Sequence, residues 1–402
     1  MSTWMMLLWA MDDIVSRFAA EFRSQSVMTY SNQFPTLEQG IYANHAAISP
    51  WPMRTADAVA AFALENTRVG PAGYKDWITR EHELREHLAI LLGADSNKDI
   101  AILSNTSEGI CNVAFGFPWK AGDSVILPRD EFPSNRLPWL AQRSRGVDVR
   151  EVEIRRDGEP EAALIEALDD STRLLAVSSV QYADGLRLDL EQLGAACDDA
   201  GILFVVDAIQ QLGALPLDVR ACRIDCLAAG AHKWLLGPEG IAVFYCRKSA
   251  REKLGLNRMG WHMYDYPWNF ERDDWTPSES ARRFEAGSPN ALGQAGMHAS
   301  LSLILEIGME QVSSRVLANT GRLSTSLASL PGVLLASPDK MERQSGIVSF
   351  GVEGRNVREI YRDLRRAGIT SALRAGNIRL SPHFYQDETV IEELLNRVED
   401  AL

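Results

Sequence analysis

The sequence predicts an α/β protein: a mostly parallel sheet covered by helices on both faces, then a smaller α+β unit. Three observations carry that expectation. Short apolar runs alternate with amphipathic stretches from about residue 95 to 245, the pattern of repeated βα units. The runs at 202–206 and 241–244 are apolar throughout, as strands buried on both faces are. Beyond residue 330 the order becomes strand (347–350), helix (356–367), two short strands (around 369–373 and 378–381) and a last helix (388–402).

The 402 residues, 46% hydrophobic and 24% charged, have the composition of an ordinary globular protein with two or three structural units. A net charge of -13 disfavours nucleic acid as a partner, because phosphate binding needs a basic face. The five cysteines, Cys111, Cys197, Cys222, Cys226 and Cys246, are odd in number and form no paired metal-binding spacing. Reduced thiols in a cytoplasmic protein, and no metal site, are expected. The opening MSTWMMLLWAMDD is apolar for about ten residues but lacks a basic n-region and is too short to span a bilayer. It reads as a helix start or an oligomer contact, and no membrane partner is expected.

In chain order, Ile14, Val15, Phe18, Ala19 and Phe22 fall at helical spacing over 12–26. A proline-bounded loop at 42–52 carries Asn44 and His45, candidates to approach a site. The stretch 55–92 is helical with a break at 69–73. A strand at 100–103 runs into small hydroxyl residues and a helix at 110–117, where Thr106 and Ser107 face free backbone N–H groups, a cradle for an anion. A strand at 123–127 ends in PRDEFPSN, and Phe132 offers a face on which a flat ring could stack. Then follow a strand around 147–154, a helix at 160–168, a strand at 174–180 ending near Gln181, and a helix at 189–200.

The next apolar run ends in Asp207, with Gln210 three residues on. Lys233 follows, the one lysine of the chain embedded in an apolar, glycine-punctuated stretch. Ser107, Phe132, Gln181, Asp207 and Lys233 all fall just past strand ends, where sheets of this class bind ligands. The segment 256–290 is aromatic and irregular, suited to covering a substrate, and 292–329 reads as one long helical region. The expected division is an N-terminal segment, 1–50, packing on the smaller unit or a dimer partner; a large unit, 51–292; and a small C-terminal unit, 293–402.

A buried lysine near an acid suits Schiff-base chemistry, since burial lowers the amine pKa toward the nucleophilic form. With pyridoxal phosphate, an aspartate must hold the ring nitrogen protonated. The stretches NTSEGICNVAF, GDSVILPRDEFPSNRLPW, VVDAIQQLG, AHKWLLGPEG, RRFEAGSPNALG and IRLSPHFYQDE resemble, in order, the class V aminotransferase family of pyridoxal-phosphate enzymes. The resemblance implies fold type I, with a seven-stranded, mostly parallel sheet. It implies Lys233 as the lysine that takes the cofactor aldehyde, His232 beside it, Asp207 at the ring nitrogen and Gln210 at the phenolic oxygen. Thr106 and Ser107 would hold the phosphate, Phe132 would stack on the ring, and Gln181 would also contact the cofactor. Ser288 stands where relatives reach the phosphate of the neighbouring subunit, which implies a homodimer with the site at its interface. Arg379, with Arg374 as a second candidate, would bind the substrate α-carboxylate, and Asn44 would lie on the substrate side.

Two departures stand out. Relatives often carry a serine where this chain has Gly230. Cysteine desulfurases of the family use a cysteine in the C-terminal unit and usually stack a histidine on the ring, whereas this chain has no cysteine after Cys246 and has Phe132 at the stacking position. Desulfuration through a protein persulfide is therefore disfavoured. The leading expectation is an aminotransferase, with a β-lyase of carbon–sulfur type second and an epimerase third. A non-enzymatic module is disfavoured because Lys233 is intact. His45, His262, His383, Tyr264 and Trp261 are further candidates to face substrate, with loop surface the expectation for the histidines.

Overall fold

The computed structural model describes residues 30–155, 159–271 and 273–402. The apolar opening and the helix expected at 12–26 lie outside them. A short β1 (Ile41–Tyr42) precedes helices Met53–Val69 and Tyr74–Leu92. The large sheet is built from β2 (Ile100–Leu103), β3 (Ser124–Pro128), β4 (Asp148–Val152), β5 (Thr172–Ser178), β6 (Leu203–Asp207), β7 (Cys226–Gly230) and β8 (Ala242–Cys246). Its order is β2-β8-β7-β6-β5-β3-β4. The pairs from β7 to β4 are parallel, and β8 is antiparallel to both β7 and β2. The seven-stranded, mostly parallel sheet of fold type I is thus present. The reversal at β8 follows from its connection: residues 231–241 make turns and no crossover helix, which a parallel return requires.

Alternation along each strand feeds two cores. Leu203 and Val205 of β6 pack on one face with Ile110, Val113 and Trp139, while Phe204 and Val206 pack on the other with Leu84, Leu88 and Leu193. Both faces are apolar, so the strands read as continuous hydrophobic runs in the sequence.

The helix at the end of β2 starts at Thr106, earlier than the apolar pattern indicates, because Asn105 caps it by accepting from Glu108 N. The region expected as one helix at 292–329 is two, Ala291–Ile307 and Met309–Ser329, broken at Gly308 with φ 85°. The second leads into a four-stranded sheet, β12-β13-β10-β9, from β9 (Val333–Leu335), β10 (Val348–Val352), β12 (Ala372–Arg374) and β13 (Asn377–Leu380). Two-residue β11 (Ile369–Thr370) pairs with β1, and Asn44 bridges Ser381, so the 41–44 segment is stitched to this sheet. Among the described residues no helix is long and apolar enough to cross a membrane.

A buried charge cluster closes the β2 edge. Arg85 donates to both oxygens of Glu285 at 2.6 and 2.7 Å, to Glu81 at 2.7 Å and to Ile100 O at 2.8 Å, and Glu285 accepts from Ile102 N at 2.7 Å. Removing the cation leaves two carboxylates buried without it. Arg85→Leu is expected to lose about 3–5 kcal/mol of stability, read as a lowered midpoint in urea unfolding of the apo-protein.

Candidate active site

Two ionisable groups meet at the carboxyl edge of the large sheet. Asp207, the last residue of β6, is buried, and its Oδ1 accepts from Ile209 N at 3.0 Å. Burial pushes this carboxyl up to about 6, opposed by that N–H and by the charge of Lys233. Lys233 lies three residues past β7 in a turn closed by Leu236 N donating to Lys233 O at 3.0 Å. Its amine is pushed down to about 8, first by burial, with Asp207 opposing and Arg379 and Arg374 adding to the fall.

The neighbouring helix start is tied to the same edge. Gly230 N donates to Thr106 Oγ1 at 2.9 Å, so the hydroxyl joins the end of β7 to the first turn of the Thr106–Gly116 helix. A Cβ on Gly109 would come within 2.8 Å of the Ala228 side chain, which is why the helix approaches β7 so closely. Ser107 Oγ donates to Ser134 Oγ at 2.8 Å, bringing the loop after β3 over the helix start.

That loop also carries Phe132, whose ring centroid is 5.6 Å from Lys233 Nζ. The ring is 39% exposed, a large apolar face left open at the sheet edge. Tyr182 meets it edge-on at 5.2 Å. Opposite, Arg379 of β13 is 1% exposed; its Nη1 donates to Tyr182 O at 2.6 Å, while Nε and Nη2 are buried without a partner. Burial, and then Arg374, pushes its pKa down to about 9. A buried guanidinium with free donors is a site prepared for an anion. Arg374 is half-buried and donates to Leu373 O at 2.8 Å. Asn44 Oδ1 and Gln181 Oε1 are likewise buried and unpartnered. Gln181 Nε2 donates to Glu131 Oε1 at 3.1 Å.

Other expected residues take different surroundings. The Gln210 amide is engaged at both ends: Nε2 donates to Ala46 O at 3.0 Å, and Oε1 accepts from Trp234 Nε1 at 3.0 Å. His232 is half-buried, its imidazole pKa lowered by burial and by Lys233, and its carbonyl accepts from Ser49 N at 2.8 Å. Ser288 is exposed, two residues before Asn290, which caps the Ala291–Ile307 helix. The expectation of surface histidines is wrong for all three. His45 lies between Ser381 O at 2.8 Å and Tyr385 Oη at 2.7 Å, and His383 Nε2 is 3.1 Å from Trp234 O. Both are fully buried and join the small sheet to the turn that holds Lys233. His262 is buried beside Glu81 and Glu285, whose oxygens are engaged by Arg85 and Arg282. Tyr264 is buried and Trp261 half-buried. Glu131, Ser134 and Tyr182 are members of the site that sequence reasoning missed; all three lie beside motifs it had marked.

The aminotransferase class-V family model matches residues 41–386. A probable cysteine desulfurase of Methanothermobacter thermautotrophicus is 31% identical over 389 residues, covering 91% of this chain and 96% of that protein. Among solved structures, the apo cysteine desulfurase of Thermococcus onnurineus has a TM-score of 0.82 at 26% identity, covering 92% of this chain and 96% of that one. The cystine C–S lyase C-DES, in complex with its reaction product cysteine persulfide, has a TM-score of 0.85 at 26% identity, covering 92% of this chain and 99% of that one.

The raised carboxyl of Asp207 gives a signed expectation. Its folded pKa of about 6 exceeds the ordinary 3.8, so between these values the folded chain holds a proton that the unfolded chain releases. This contribution to stability is present at low pH and is lost as pH rises through that window. Melting curves of apo wild type and Asp207→Asn should therefore differ by several degrees more at the top of the window than at the bottom, with the wild type losing ground as pH rises.

Proposed function

We propose, for a chain that belongs to the aminotransferase class-V family, a pyridoxal-phosphate enzyme that breaks the carbon–sulfur bond of a cysteine-type amino acid and leaves the sulfur on a small-molecule product. The donor set fits the cofactor. A buried amine held near neutrality, a buried carboxylate, an open aromatic face and a capped helix start meet at one sheet edge. A variant of the C-DES lysine with glycine covalently linked to its pyridoxal phosphate, 26% identical with a TM-score of 0.86, supports the same assignment. The observation that carries the choice of sulfur acceptor is the placement of the thiols. Cys197, Cys222, Cys226 and Cys246 are buried, Cys111 is half-buried, and none follows Cys246. The sulfur therefore departs without a protein thiol to receive it, and the relatives' names favour carbon–sulfur cleavage over the transamination first expected.

When bound, pyridoxal phosphate supplies an aldehyde for an amine and a ring that accepts the electrons released at Cα. Asp207 would hold the ring nitrogen, Phe132 would cover one ring face, and Thr106, Ser107 and the helix start would hold the phosphate. Gln210, Gln181 and His232 would stand beside the cofactor. Arg379 takes the α-carboxylate with its free Nε and Nη2, with Arg374 and Asn44 beside it. Lys233 would serve as the base for the Cα proton. The Cα–H electrons then expel sulfur from Cβ, and the remaining three-carbon enamine takes up water and leaves as pyruvate and ammonium. Ser288, exposed in the single chain, would serve the phosphate of a second copy in a homodimer.

Purified protein should be yellow, and Lys233→Ala should lose that colour. With cystine or cysteine the wild type should release pyruvate and ammonium in equal amounts together with reduced sulfur. Release of keto acid without ammonium, with the cofactor left in its amine form, would instead establish transamination. Arg379→Ala should raise KM about 100-fold, the effect of losing charge-assisted hydrogen bonds of about 1.5–3 kcal/mol each.

A further inference from the structure

Glu131 takes no part in the chemistry above, yet it is an acid at 4% exposure between two exposed-chain neighbours, Asp130 and the open face of Phe132. Three donors converge on it: Ser178 N at 2.6 Å, Ser178 Oγ at 2.5 Å and Gln181 Nε2 at 3.1 Å. A carboxylate that only accepts fits this ring of donors, whereas a neutral carboxylic acid would turn one O–H against them. Ser178 is the register partner of Asp207 on adjacent parallel strands, which sets the two acids on either side of one residue at the sheet edge. Burial pushes the Glu131 carboxyl up to about 7, and Asp207 adds in the same direction.

We propose that Glu131 is a positioning residue for the cofactor's ring nitrogen: its anion, acting through Asp207, raises the proton affinity of that nitrogen and keeps it protonated. This inference rests on the pyridoxal-phosphate reading above. Capping the end of β5 uses the contact from Ser178 N; the charge that the same carboxylate sets near Asp207 is the further feature. The charged group that acts on Asp207 is Lys233, past β7, which itself lies in the field of Arg379 and Arg374. Asp130, on the same loop as Glu131, is neutralised by Arg155, which also pairs with Asp184.

The test follows the ring nitrogen directly, by nitrogen NMR of the holoenzyme loaded with pyridoxal phosphate labelled with 15N in the ring. In Glu131→Gln the pH at which that nitrogen loses its proton should fall by about one unit, the order expected for removing one nearby charge in a partly buried site. Glu131→Asp, which keeps the charge, should titrate close to wild type. Ser178→Ala, which removes one donor from the carboxylate and leaves Glu131 in place, should move the midpoint the same way by less, and it decides the matter if Glu131→Gln does not fold. Titrations in Glu131→Gln and Ser178→Ala that overlay the wild type would overturn the inference while leaving the cofactor assignment intact. A wild-type protein that takes up no labelled cofactor would overturn the assignment and this inference with it.

Discussion

Everything at this site depends on the burial of one amine opposite one carboxylate. Lys233 and Asp207 lie at the ends of strands that the rest of the large sheet buries on both faces. In water the pair would be two ordinary charges. Out of water, burial drives the amine down to about 8 and the acid up to about 6, each toward its neutral form. Such a pair weakens a fold that has no use for it; under the proposed function it would prepare a lysine to attack an aldehyde and an acid to grip a protonated ring.

The remaining structure keeps that pair in place. The Thr106 hydroxyl fixes the end of β7 to a helix start, and Gly109 permits the close approach. From the other side, the small sheet reaches the Lys233 turn through His45, His383, Tyr385 and the buried Trp234, a packed aromatic group in which both histidines meet backbone carbonyls, Tyr385 Oη meets His45 and Trp234 Nε1 donates to Gln210. Arg379 comes from that same sheet and keeps two buried donors without a partner. Amine, ring face and guanidinium thus come from elements far apart in sequence, and the contact between the two sheets sets their spacing.

Much of this was legible in the sequence because strand ends are legible. Apolar runs that stop at Asp207 and shortly before Lys233 mark both the sheet and its carboxyl edge, and the motifs around Phe132, Ser107 and Arg379 fall at the same level. Burial decided by distant partners was not legible. In the run Arg129-Asp130-Glu131 two charges are exposed and the third is buried, and the difference is made by Ser178 and Gln181, 47 and 50 residues away. The spacing placed Gln210 correctly but not the competition of Trp234 and Ala46 for its amide. Gly308 broke a helix that a lone glycine in a helical pattern often leaves continuous, and β1 and β11, two residues each, are too short to carry a pattern. The histidines were misread because His45 and His383 sit in loops, and their burial comes from the contact between the two sheets.

The central claim is that Lys233 is the group on which this protein's chemistry starts. Reduction of the holoenzyme with borohydride, followed by proteolysis and mass spectrometry, tests it most directly. The account predicts the pyridoxyl modification on the peptide that contains Lys233 and on no other. Modification centred on Lys75, Lys98, Lys120, Lys248, Lys253 or Lys340, or no modified peptide at all, would contradict it.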